Sequence, residues 1–185
     1  VQPANDFRLY LNSLVSRYSF FVPTDEYFQY YVDPVAFGKD VPAALRFWYN
    51  EKTMSVNATV YAYDKTTGIT GDSIGYITNN TFLANRLLDL LNMHIVVGGV
   101  ENGKSYYLTK GNVALRVQGS GDDLKVQAGG NMQRNEFVNV NRHYQQSNGF
   151  TYFIDRPIQT PVQSVYKVLS QTPEFGEFFA LLTGF

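Results

Sequence analysis

Cysteine is absent from this 185-residue chain. The fold must hold without disulfides, and thiol nucleophiles and Cys-based zinc sites are excluded. Histidine is almost as scarce. Only His94 and His143 occur, and no partner set for nucleophilic or metal chemistry can be assembled around them. No apolar run approaches the ~20 residues that a membrane helix needs. A dominant charge is missing too: 15 Lys and Arg stand against 16 Asp and Glu. Without a basic field to attract phosphates, nucleic acid is not an expected partner. Val1-Gln2-Pro3 has no signal-peptide character, so an export signal is expected to have been removed or never present. Phosphate loops, nucleophile elbows and zinc-helix motifs are also lacking, and no cofactor is expected.

What the chain has in quantity is aromatic residues, with 14 Tyr, 14 Phe and 1 Trp. Aromatics favour strands and also anchor interfaces, where the ring is buried and a hydroxyl stays wet. The plain reading is a β-rich core with Tyr on its edges; the sharper one is a dedicated aromatic binding face. The remaining composition is that of an ordinary globular protein.

Periodicity places the elements. Phe7, Tyr10, Leu11 and Leu14 recur at helical spacing, with Asn5 or Asp6 available as cap. Ser19 to Val22 is a short strand ended by Pro23. Thr24 suits the cap of a helix carrying Asp25 and Glu26 in its first turn. Residues 42–49 look helical, with Leu45, Trp48 and Tyr49 on one face. From Ser55 the period is two, and a turn at Asp64–Gly68 returns the chain over 69–78. This predicts a projecting hairpin with a weakly apolar face, one that can be shortened without unfolding the domain.

Thr81 to Asn92 is the clearest helix, burying Phe82, Leu83, Leu87, Leu90 and Leu91. Ile95–Val97 is a strand, and others follow at about 105–109, 112–118, 123–128 and 136–144. Asn148-Gly149 signals a hairpin turn in which both residues accept positive φ, and Phe150, Tyr152 and Ile154 alternate in the returning strand. In the tail, Thr172-Pro173 starts a helix whose Phe175, Phe178, Phe179 and Leu182 repeat the register of Phe7, Tyr10, Leu11 and Leu14.

Three segments, in order, resemble the fasciclin domain family. They are Ser19-Phe20-Phe21-Val22-Pro23-Thr24-Asp25-Glu26-Tyr27-Phe28, then Leu87-Leu88-Asp89-Leu90-Leu91-Asn92-Met93-His94-Ile95-Val96-Val97-Gly98, then Asn148-Gly149-Phe150-Thr151-Tyr152-Phe153-Ile154-Asp155-Arg156-Pro157-Ile158. The tail from Ser164 through Phe179 resembles the opening helices of a further family domain. Two departures stand out. Met93 occupies the place where the family often has Tyr before His, a pair linked to adhesion in animal members. The stretch from about 50 to 80 is far longer than the usual connection.

The resemblance implies an α+β fold, an antiparallel β-sandwich with helices packed against it. Residues 1–161 would form one fasciclin-like domain with an extra hairpin at about 50–80, and 162–185 the start of a second, incomplete repeat. It also implies a secreted or cell-surface setting and binding of protein or glycan without catalysis. The alternative is a small-molecule or lipid-binding domain with an aromatic-lined pocket. A hydrolase would need a constellation that the chain does not offer.

The candidate contacts are Tyr61, Tyr63 and Tyr76 on the extra hairpin. Phe175, Phe178, Phe179 and Leu182 are expected to dock the tail, on its own domain or on a second copy in self-association. His94 is read as a structural hydrogen-bonding residue and His143 as exposed. Asp25 and Glu26 face different ways on a helix start. Asp122-Asp123 reads as a solvated turn. Asp64-Lys65-Thr66-Thr67-Gly68 lacks the alternating carboxylates of a calcium loop. Asn57-Ala58-Thr59 and Asn79-Asn80-Thr81 are glycosylation sequons expected at the surface.

Overall fold

A computed structural model describes residues 7–25, 28, 30–33, 42–64, 66–78, 80–101, 103–161 and 165–184. The strands are β1 Tyr18–Pro23, β2 Tyr31–Asp33, β3 Ala43–Asn50, β4 Ser55–Asp64, β5 Ile69–Ile77, β6 Ile95–Val97, β7 Tyr106–Leu108, β8 Ala114–Gln118, β9 Lys125–Gln127, β10 Val138–Gln146 and β11 Gly149–Ile154. The helices are α1 Phe7–Asn12, α2 Asn80–Met93, α3 Gly129–Gln133, α4 Val165–Gln171 and α5 Gly176–Thr183, with short 3-10 turns at Gly121–Asp123 and Pro173–Phe175. The class is α+β, as expected.

The layering differs from a flat antiparallel sandwich. One seven-stranded sheet runs β6-β1-β11-β10-β9-β8-β7. It is mixed, because β1 lies parallel to β11, from Tyr18 opposite Gly149 to Pro23 opposite Ile154. Its two ends meet at a bridge between Val96 and Thr109, reinforced where Lys110 N–H donates to Ile95 O at 2.6 Å. The sheet therefore curls almost into a barrel, which pairs edges that an open sheet would leave free. A second, four-stranded antiparallel sheet has the order β2-β3-β4-β5. Helix α2 packs against β4, and one continuous core joins Phe21, Tyr152 and Ile154 of the curled sheet, Leu83 and Leu90 of α2, and Leu45 and Val60 of the second sheet.

The segment 42–49, expected as a helix, is strand β3. Leu45, Trp48 and Tyr49 fit helical spacing, but the local alternation also fits a strand. Leu45 and Phe47 face the core opposite Val60 and Ala58, while Arg46 and Trp48 face away. An eight-residue partner in β4 decides between them. The hairpin at 55–77 forms as expected, but its inner face is not expendable. Ala58 and Val60 are fully buried and Ile77 nearly so. Small side chains bury little area each, yet here they carry the only strand partner of β3 on that side.

The β10–β11 turn is also displaced. Gln146 pairs with Gly149, so Ser147 and Asn148 are its central residues, and only Gly149 has positive φ (140°). Gly149 is required there because a Cβ would come within van der Waals exclusion of the Tyr18 carbonyl. Asn148 instead donates its side-chain amide to the carbonyls of Leu11 (2.6 Å) and Ser13 (3.1 Å), tying the end of α1 to the hairpin. Leu14 lies beyond α1 and is exposed. Lys110 covers the other side, its ammonium 4.1 Å from the Tyr10 ring centre and 4.9 Å from that of Phe7. Thr24 O accepts a hydrogen bond from Phe28 N–H, closing a single turn; Glu26, part of the helix expected there, lies outside the described residues.

Opposite faces of β3 should respond differently to truncation. Leu45→Ala is expected to lower stability by about 2–5 kcal/mol, and Arg46→Ala, one residue on and exposed, by less than about 0.5 kcal/mol. Urea denaturation of both variants measures this. A helical 42–49 would bury Trp48 beside Leu45, so Trp48→Ala, expected to cost far less than Leu45→Ala from its exposed place in the strand, separates the two.

Candidate functional surface

His94 ends α2 and is buried. Its Nδ1 donates to Leu90 O at 2.8 Å, and its Nε2 accepts the Ile158 backbone N–H at 3.0 Å. Both nitrogens of the neutral ring are thus engaged with backbone, the structural role expected of it. Burial, opposed only by the bond to Leu90, holds its pKa down at about 4. His143 is half-buried rather than exposed. Its ring packs on Tyr152 at 6.1 Å, and its Nδ1 lies 2.7 Å from Asp122 Oδ1, which also accepts the His143 backbone N–H. These bonds hold the Asp122 carboxyl below its ordinary range and pin the 3-10 turn to β10. Asp122 is therefore a tether and not merely a solvated turn residue. Asp64 likewise accepts the N–H groups of Thr66 and Thr67, the geometry of an Asx turn.

Other polar groups join the layers. Arg86 of α2 reaches Asp33 of β2 at 2.7 Å and lies over the Phe82 ring. Burial first, and Asp33 second, raise the neighbouring Tyr31 phenol to about 12. Tyr152, stacked on Phe21 at 5.1 Å, has its phenol pushed up by burial and then by the Glu101 carboxylate. These inner aromatics pack on one another.

The outward face of the second sheet is different. Directly opposed residues of an antiparallel pair share a face. Trp48 lies opposite Asn57, and Thr59 lies opposite both Arg46 and Tyr76. All of these point away from Leu45, Val60 and the core. Trp48 is 42% and Tyr76 76% exposed. Between them is an open trough of about 450 Å³, whose lining includes Asn50, Ser55, Asn57 and Thr78.

The three tyrosines chosen from sequence share this face but not its accessibility. Tyr76 stands clear. Tyr61 is partly covered, edge-on to Tyr30 at 5.1 Å, and Tyr63 is partly covered as well. Trp48 was missed because helical spacing assigned it to a buried face. Its alternation with Arg46 was the signal that could have found it. Asn57, expected as a surface glycosylation site, is only 4% exposed, which leaves no room for a glycan on its own side chain in the folded chain. Asn79 lies outside the described residues.

In the tail, Phe175, Phe178 and Leu182 are 45%, 56% and 51% exposed. Phe179 is partly covered by Tyr166 at 5.0 Å. The main contacts of α4 and α5 are with each other and the 3-10 turn between them. Three of the four stripe residues are thus exposed among the described residues.

No protein-family model matches the chain, and no curated protein matches it in sequence. Among solved structures it is similar to a FAS1 domain pair from the insect cell adhesion molecule fasciclin I, at 24% identity and a TM-score of 0.34. The match covers 55% of this chain and 38% of that one. Among the described residues, no helix is long and apolar enough to cross a membrane.

The buried neutral His94 makes stability depend on pH. The unfolded chain protonates it near 6.5 and the folded chain only near 4. Its contribution is fully present above 6.5 and is lost as pH falls through that window, because only the unfolded state takes up the proton there. At 1.36 kcal/mol per pKa unit the loss is on the order of 3 kcal/mol. Urea denaturation at several pH values should show His94→Gln less stable than the parent at pH 7, with a shallower decline between pH 6.5 and 4.

Proposed function

We propose that the chain is a fasciclin-like adhesion or binding module that acts without catalysis, in a secreted or cell-surface setting. The observation that carries this reading is the outward face of the β2–β5 sheet. Trp48 and Tyr76 stand exposed there on strands whose other face is locked into the core. Such rings offer large contact area while their positions are already set by the scaffold, so little ordering entropy is lost on binding. The residues that resemble the fasciclin boxes are consistent with it: Phe21 and Tyr152, one from each box, stack in the shared core. The inner aromatics are occupied with each other, which favours the surface reading over an internal ligand pocket.

Two outcomes test the proposal. Cells or extracellular matrix should adhere to the immobilised chain, and the doubly substituted Trp48→Ala, Tyr76→Ala chain should lose most of that adhesion while its thermal unfolding midpoint stays within a few degrees. Adhesion that is indifferent to both substitutions would overturn it.

The tail belongs to the same reading, as the opening of a second repeat whose exposed stripe supports self-association. Pro161 lies against Gly129 of α3, which supports a first unit that runs to this residue. A chain ending at Pro161 should unfold cooperatively at the parent temperature and lose any dimer that the parent shows in size-exclusion chromatography. Loss of the folded state would mean that the tail belongs to the first core.

A further inference from the structure

We infer that the trough between Trp48 and Tyr76 is a binding site for a neutral oligosaccharide. This rests on the binding-module reading above and names the partner's chemistry. Every side chain lining the trough is uncharged, and apart from the two rings the lining is amide and hydroxyl: Asn50, Thr53, Ser55, Asn57 and Thr78. Trp48 and Tyr76 are carried on strands two spacings apart, about 10 Å, and lie diagonally, two residues out of register across β4. The volume of about 450 Å³ is that of a small-ligand cleft. A sugar ring has an apolar C–H face and a rim of hydroxyls that both donate and accept. An exposed aromatic plane suits the face, and an amide, with donors and an acceptor on one plane, suits a pair of neighbouring hydroxyls.

Asn57 is the second, independent sign. It lies in the floor of the trough and is 4% exposed. Its side-chain amide is not among the fully buried polar atoms that lack a partner, so the group that is not paired within the fold keeps its access to the trough, where solvent serves it in the free chain. A vicinal diol entering the trough would take the place of that solvent with a matched acceptor and donor. The same arrangement argues against a peptide partner. An extended peptide gains affinity from main-chain bonds at a sheet edge, whereas Asn57 lies on the inner strand β4, opposite both β3 and β5.

Trp48 is the chain's single tryptophan, so intrinsic emission reports on the trough directly. The test titrates the full chain with neutral di- and trisaccharides of gluco, galacto and manno configuration, with and without N-acetyl groups. Fluorescence and calorimetry are the readouts. At least one saccharide should shift the Trp48 emission saturably. Tyr76→Ala and Asn57→Ala should each weaken it about tenfold or more, while Tyr106→Ala, exposed on β7 away from this sheet, should leave it unchanged. Asn57→Ala should do so without loss of thermal stability, which a purely structural asparagine would not allow.

No emission change with any of these sugars, or binding that persists in both variants, overturns the inference. Cells whose surface diols have been cleaved by periodate separate this from the broader reading. If they adhere as well as untreated cells, and still through Trp48, the partner is a protein and only the saccharide inference falls. Adhesion that ignores Trp48 removes both.

Discussion

The short run from Pro157 to Gln159 holds the layers together. It follows β11 and forms no regular element, so its backbone groups must find partners elsewhere. Ile158 N–H donates to His94 Nε2, which binds the run to the end of α2. Gln159 N–H donates to Asn131 Oδ1 and Gly130 N–H to Gln159 O, which bind it to α3. The Gln159 side-chain amide then pairs with both the N–H and the C=O of Val32, standing in for a neighbouring strand at the edge of β2. Helix, curled sheet and second sheet meet on these bonds, and His94, Asn131 and Gln159 are all buried. Buried polar networks of this kind are worth most when every member is satisfied. That explains why a histidine with no chemistry to perform is placed where its protonation costs stability.

Closure of the curled sheet has consequences for the surface. With β6 bridged to the residue after β7, the large sheet has few open edges, and the second sheet rests on the core through α2. Its inner face is used for folding, so its outer face is rigid without being needed for stability. That separation allows Trp48 and Tyr76 to be exposed. The outer edge, β5, carries register irregularities opposite Val60, Tyr61 and Tyr63. Such bulges twist an edge and discourage further strand addition, which leaves the face rather than the edge as the contact surface.

The tail follows a different logic. Its helices set Tyr166 edge-on against Phe179 but leave Tyr166, Phe175, Phe178 and Leu182 exposed to water. A short helical pair has too little interior to cover its own apolar stripe. The stripe that matches α1 in register therefore differs from it in surroundings: Phe7 and Tyr10 lie beneath Lys110 and Tyr10 packs on Tyr18.

Local pattern alone determined much of this protein. The strand at Ser19–Val22, the long helix from Thr81, the alternation of Phe150, Tyr152 and Ile154, and their common core are readable because apolar period and turn chemistry agree there. The presence of both helices and strands and the structural part of His94 follow from the same signals. Tertiary structure decided what local pattern leaves ambiguous. Leu45, Trp48 and Tyr49 satisfy helical and strand spacing alike, and only pairing with β4 makes them a strand. Parallel pairing of β1 with β11 joins residues more than a hundred positions apart, which no local period encodes. Which of the outward tyrosines is accessible, and that Trp48 and Tyr76 line one trough with a nearly buried Asn57, depends on register between three strands. Register is set by the whole sheet and its core, since a slip of one residue would exchange the two faces.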